Sequence, residues 1–120
     1  MTYFFDTYAL IEIIKNNEHY LPYRDEAILT SLLNLGELYQ ALLHKFNERL
    51  AEEWRKRLEG NYLTITEEVI VKAMQFRFKY KNKNFSFIDC VGYILARENN
   101  LKFLTGDKEF RDVENVEFVK

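Results

Sequence analysis

Four carboxylates, Asp6, Glu37, Asp89 and Asp107, stand where the flanking residues are about to be buried. Asp6 interrupts "YFFDTYALIEI", Glu37 lies in "LLNLGELYQALL", Asp89 in "FSFIDCVGYILA", and Asp107 directly follows "LKFLTG". An ionised carboxylate among apolar residues is expensive unless it is paired, hydrogen-bonded or bound to a cation. Four of them converging on one place would repel one another and raise some of their pKa values, a penalty that a divalent cation removes. An all-oxygen donor set without clustered His or Cys suits Mg²⁺ or Mn²⁺ rather than a structural zinc. His19 and His44 read as surface or packing residues and Cys90 as core.

Each acid also has a plain structural reading. Asp6 is placed to cap the helix that follows it. Ser86 with Asp89 has the S-x-x-D form of a capping box, and Asn34 with Glu37 mimics the same spacing. Asp107 after Gly106 is an ordinary turn residue. Singly these explanations compete well; the cation is the one account that covers all four.

The elements that must carry the acids follow from periodicity. Residues 2–5 are aromatic and β-branched, as a buried strand requires, and residues 8–15 put Leu10, Ile11 and Ile14 on one helical face. Residues 16–25, with the only proline, Pro22, read as a connection, and 27–30 as a second short apolar run. "SLLNLGELYQALLHKF" and "NERLAEEWRKRLEG" predict two amphipathic helices, a candidate hairpin stopped by Gly60. "YLTIT" is a strand candidate, Thr66 opens a helix through Phe76, Ser86 opens another ending at the Asn99–Asn100 pair, and "LKFLT" and "VEFV" supply the last strands.

Strands alternating with helices predict an α/β fold, because parallel neighbours need crossover connections that are normally helical. In open sheets of this kind ligands bind outside the carboxyl ends of the strands, where Asp6 and Asp107 both fall. At 120 residues, 48% of them hydrophobic, with one Pro and four Gly, the expectation is a single domain over residues 1–120. The formal charge of −2 argues against binding nucleic acid by bulk charge alone. A single cysteine, no leader-like start and no apolar run of about 20 residues predict a cytoplasmic protein that does not span a membrane.

"FFDTYALIEI", "NLGELYQAL", "SFIDCVGYILA" and "FLTGDKEF" resemble the four acidic motifs of the PIN domain family, in the family's order, and the short chain is similar to the VapC-type toxin ribonucleases. The resemblance runs from near residue 1 to near residue 118, and "TGDKEF" is its closest match. It implies a three-layer α/β/α sandwich with a mostly parallel central sheet. It implies that Asp6, Glu37, Asp89 and Asp107 are catalytic, metal-binding acids for Mg²⁺ or Mn²⁺, with Thr7 and Thr105 as supporting hydroxyls and Glu109 or Asp112 in the place of an occasional extra acid. The activity it implies is hydrolysis of single-stranded RNA to 5′-phosphate and 3′-hydroxyl ends, with a cognate antitoxin and a homodimer as partners.

An RNA substrate needs a basic approach. "VKAMQFRFKYKNKN" provides Arg77, Lys79, Lys81 and Lys83 with Phe76, Phe78 and Tyr80 between them, a phosphate-contacting rim with stacking rings. The same cations would also complement a helix C-terminus, and the rings would also serve a core. Tyr39 and Trp54 are candidate anchors for a partner. A phosphatase of the aspartyl-phosphate kind would need a second Asp where Tyr8 stands, and a receiver domain would need an early acidic pair that is missing. A non-catalytic PIN-like binding or scaffold module is the remaining alternative, and it offers no reason to keep four mutually repelling acids.

Overall fold

The computed structural model describes residues 2–120. Its centre is a sheet of four strands, β1 (Tyr3–Phe5), β2 (Ile28–Leu29), β3 (Lys102–Thr105) and β4 (Val116–Phe118), in the order β2-β1-β3-β4. Every pairing is parallel, with Phe4 opposite Leu29 on one side and Phe103 on the other, and Leu104 opposite Glu117. Parallel strands cannot be joined by tight turns, so α1 (Thr7–Ile14) links β1 to β2, and α2 (Leu32–Lys45), α3 (Glu48–Leu58), α4 (Glu67–Lys79) and α5 (Phe87–Glu98) link β2 to β3, while a 3₁₀ turn, Lys108–Phe110, lies between β3 and β4.

The period-two alternation of the strands divides the core. Phe5 and Leu104 face one way, into a cluster with Leu10 of α1, Leu38 and Leu42 of α2 and Trp54 of α3. Phe4 and Phe103 face the other, into a cluster with Ala73 and Phe76 of α4 and Val91 and Ile94 of α5. This is the expected three-layer α/β/α sandwich, and its sheet is wholly parallel. Burying Phe4, Phe5, Phe103 and Leu104 completely stabilises the sheet by about 1.5–3 kcal/mol per side chain.

Helix starts follow local chemistry. Asn47 caps α3 by accepting from the Leu50 amide at 2.9 Å, and Thr66 caps α4 by accepting from Val69 at 3.2 Å. The connection after α1 contains a 3₁₀ helix, Glu18–Tyr23, which Pro22 tolerates. The strand expected at "YLTIT" does not form: Tyr62 makes one isolated bridge to Thr30. β2 is only two residues long at the sheet's edge, so it offers no ladder for a further strand to follow.

Candidate active site

All four sequence-singled acids line one open cleft of about 450 Å³, together with Thr7, Tyr8, Gln40 and His44. Asp6 continues directly from β1, its amide donating to the Leu104 carbonyl at 3.1 Å, and Asp107 lies two residues beyond β3. Glu37 comes from α2 and Asp89 from the first turn of α5. The carboxyl ends of two neighbouring strands and two helices thus meet at one edge.

Asp6 has the backbone conformation of an N-cap, but its side chain makes no capping bond. Instead Oδ2 accepts from the Thr105 hydroxyl at 2.8 Å, a contact across 99 residues. The side chain is buried, at 4% exposure. Burial first, then the charges of Asp89 and Glu37, push its pKa up to about 8 against the pull of the Thr105 hydroxyl.

Asp89 does form the capping box with Ser86: Oδ2 accepts from the Ser86 amide at 2.8 Å, and the Ser86 hydroxyl accepts from the Asp89 amide at 3.0 Å. Partial burial, with the charges of Asp107 and Glu37 adding to it, raises the Asp89 pKa despite that bond. Asp107 caps a short 3₁₀ turn through Oδ1, which accepts from the Glu109 amide at 3.0 Å. Its own amide donates to the Thr105 hydroxyl at 3.1 Å, so Thr105 joins Asp6 to Asp107.

Glu37 is held by a relay that the sequence did not disclose. The N-cap of α2 is Ser31, not Asn34. The Ser31 hydroxyl donates to Asn34 Oδ1 at 2.6 Å, Asn34 Nδ2 donates to the Thr7 hydroxyl at 3.0 Å, and Thr7 donates to Glu37 Oε1 at 2.7 Å. Because Asn34 occupies an acceptor position on Thr7, the Thr7 proton is directed at the carboxylate. Ser31 and Asn34 are fully buried. Only the shared helical face of Asn34 and Glu37, one turn apart, was legible in the sequence; the link through Thr7 was not. The same spacing, at 37, 40–41 and 44, brings His44 to the cleft wall.

Each acid is therefore anchored to the fold by a hydrogen bond to one carboxylate oxygen. Four hard oxygen donors of this kind fit Mg²⁺ or Mn²⁺ in chemistry. They line the cleft without closing on a point: among the described residues no three His, Cys, Asp or Glu side chains form a ready-made cage. Glu109 takes no part, its Oε1 accepting from the Asn84 amide at 3.0 Å.

Two glycines set these positions. At Gly92 the would-be Cβ lies 2.9 Å from Phe4, so α5 can lie low on the sheet and carry Asp89 to its edge. At Gly106 it would lie 2.3 Å from the Val119 carbonyl and 2.4 Å from Tyr8, where no side chain fits between Thr105 and Asp107.

None of Arg77, Lys79, Lys81 and Lys83 lines the acid cleft. Arg77 Nε donates to the Phe85 carbonyl at 3.2 Å, tying the loop that leads into α5. Lys81 sits 4.8 Å from the Phe78 ring centre, and Lys83 is exposed. Phe76 is core, whereas Phe78 is 71% exposed. Trp54 is buried beneath Arg57, so only Tyr39 of the two candidate anchors remains near the surface, its hydroxyl donating to Glu52. Cys90 is core: burial raises its thiol to about 11.

A family model described as PIN domain matches residues 3–116. A search of curated protein sequences finds no match. Among solved structures, the chain is similar to a toxin–antitoxin complex from Klebsiella pneumoniae, at TM-score 0.78 and 20% identity over 97% of this chain and 96% of that one. It is similar to VapC20 of Mycobacterium tuberculosis, a sarcin–ricin-loop-cleaving toxin, at TM-score 0.79 and 18% identity over 99% and 100%. It is also similar to FitAcB from Neisseria gonorrhoeae, at TM-score 0.73 and 22% identity over 98% and 96%.

Proposed function

The chain belongs to the PIN domain family, and from that membership we propose that it is a Mg²⁺- or Mn²⁺-dependent endoribonuclease of the VapC toxin type, hydrolysing single-stranded RNA in the cytoplasm. The observation that carries the reading is the cleft itself: four carboxylates from separate parts of the chain, each anchored by a hydrogen bond and all lining one open cavity.

The chemistry that a divalent cation supplies at such a donor set is a water of lowered pKa and neutralisation of charge on the phosphate. This chain's own residues hold and orient the donors. Asp6, Glu37, Asp89 and Asp107 would carry the ion. Thr105 fixes Asp6 and the turn bearing Asp107, the Ser31–Asn34–Thr7 relay fixes Glu37, and Ser86 fixes Asp89. A donor set whose rotamers are already locked loses little entropy when the substrate phosphate arrives.

Toxin–antitoxin complexes among the similar folds support a protein antitoxin as partner, and a homodimer belongs to the same proposal. An apolar groove along α2 and α3, lined by Leu35, Tyr39 and Leu43, is a fitting surface for such a partner.

The test is cleavage of single-stranded RNA by purified protein with Mg²⁺ or Mn²⁺, beside a folded Asp89→Asn variant and a chelator control. Metal-dependent cutting that leaves 5′-phosphate and 3′-hydroxyl ends, and is lost in the variant, is the expected result. Cutting by Asp89→Asn at the wild-type rate would overturn it.

A further inference from the structure

The acid cleft is not the largest concavity among the described residues. A cleft of about 640 Å³ opens between α4, the last turn of α5 and the amino end of β3, within the size range of ligand sites. Four cations, Lys72, Lys79, Arg97 and Lys102, line it against one carboxylate, Glu114. In a chain of net charge −2 that is a strong local excess.

Helix dipoles do not account for it. Lys79 and Arg97 fall in the last turns of α4 and α5, where cations complement carbonyl ends, but Lys72 is mid-helix and Lys102 opens a strand. Nor do ion pairs. Lys72 is bound to Glu98 at 3.1 Å, while among the described residues Lys79, Arg97 and Lys102 form no salt bridge. The floor is aromatic: Arg97 lies 5.8 Å from the Tyr93 ring centre and Lys79 lies 5.5 Å from that of Tyr80. Tyr93 and Phe76 are buried, so Tyr80 is the partly exposed ring of the cleft, and a ring set among unpaired cations suits a base and its phosphates.

We propose that this cleft binds nucleotide units of a single-stranded nucleic acid, with Lys79, Arg97 and Lys102 on the phosphates and Tyr80 beside a base. The loop leaving it at Lys79 carries Lys81 and Lys83, both exposed, and leads to Ser86 and Asp89. The proposal rests on the ribonuclease reading only for the class of ligand, and its site shares no residue with the acid cleft.

Binding of a fluorescein-labelled single-stranded RNA 12-mer, measured by anisotropy in chelator, tests it without any cleavage. Lys79→Ala/Arg97→Ala/Lys102→Ala, folded by circular dichroism, is expected to bind at least tenfold more weakly, with the slope of log affinity against log salt shallower by about 2, as roughly 0.7 per lost phosphate contact requires. Lys79→Arg/Arg97→Lys/Lys102→Arg keeps wild-type affinity. Competition by millimolar adenosine 5′-monophosphate would mean that a free nucleotide suffices, and its failure that a strand is needed. Undiminished binding by the alanine variant overturns the proposal. So does an equal loss in Lys45→Ala/Arg49→Ala/Lys56→Ala, three exposed cations that line neither cleft, or no binding by the wild type.

Discussion

Asp6 is the residue at which stability and chemistry pull apart. Its carboxyl titrates near 8 in the folded protein against an ordinary value of 3.8, so between those values the folded state keeps a proton that the unfolded state has lost. Stability contributed by that proton is complete below about pH 4 and disappears as pH rises through 8. Asp6→Asn keeps an acceptor for Thr105 and removes the buried charge. We expect it to stabilise the metal-free protein at pH 8 by about 1–3 kcal/mol, an upward shift in melting temperature of roughly 4–12 °C, while abolishing metal-dependent cleavage. A thermal melt and an RNA gel on one preparation check both halves. Asn34 behaves oppositely: Asn34→Ala removes one partner from each of two buried hydroxyls, so a loss of about 2 kcal/mol is expected in urea unfolding, with cleavage falling because the Thr7 proton is no longer directed at Glu37.

At the scale of elements, the acids are delivered by starts and stops. Ser86→Ala removes one half of the α5 capping box and should cost about 1 kcal/mol, with slower cleavage because Asp89 loses its fixed rotamer; chemical denaturation beside initial rates separates the two effects. Gly106→Ala must move both Tyr8 and the Val119 carbonyl, and a loss of at least about 1–3 kcal/mol is expected by the same denaturation, with Asp107 displaced. Much of this level was readable beforehand. Ser86-x-x-Asp89, Thr66 before α4 and the apolar runs of β1 and β3 are local signals, and local signals survive folding. "YLTIT" misled because its strand-like composition says nothing of its neighbour, and β2 is too short to template it. The Ser31–Asn34–Thr7–Glu37 relay was hidden for a related reason: it joins residues 27 and 30 apart, across two elements, and no spacing rule reaches that far. Asp6 shows the converse, a residue with every local mark of a cap that a distant threonine claims instead.

For the whole molecule, β1 and β3, distant in sequence, meet at the centre of the sheet, and the like charges held at their carboxyl ends make stability conditional. Metal-free protein should melt lower at pH 8 than at pH 5, and Mg²⁺ or Mn²⁺ should restore much of the difference at pH 8, by RT ln(1 + [L]/Kd) for an ion that binds only the folded state. Calorimetry across pH with and without metal reads this directly; a melting temperature indifferent to metal at pH 8 would count against the four acids as ligands. The basic cleft lies outside this linkage, so its variants should leave the metal-dependent shift unchanged.

The pairing of Tyr3 with Lys102, and of the Asp6 carboxylate with Thr105, also fixes when the cleft can exist. During translation, at about 5–20 residues per second, the first strand waits several seconds for its central neighbour to be made. Until Thr105 and Asp107 have been made, Asp6 has neither its anchor nor the last of its three companion acids. No nascent chain that lacks β3 can therefore assemble the four-acid cleft, and whatever the cleft does waits on that one pairing.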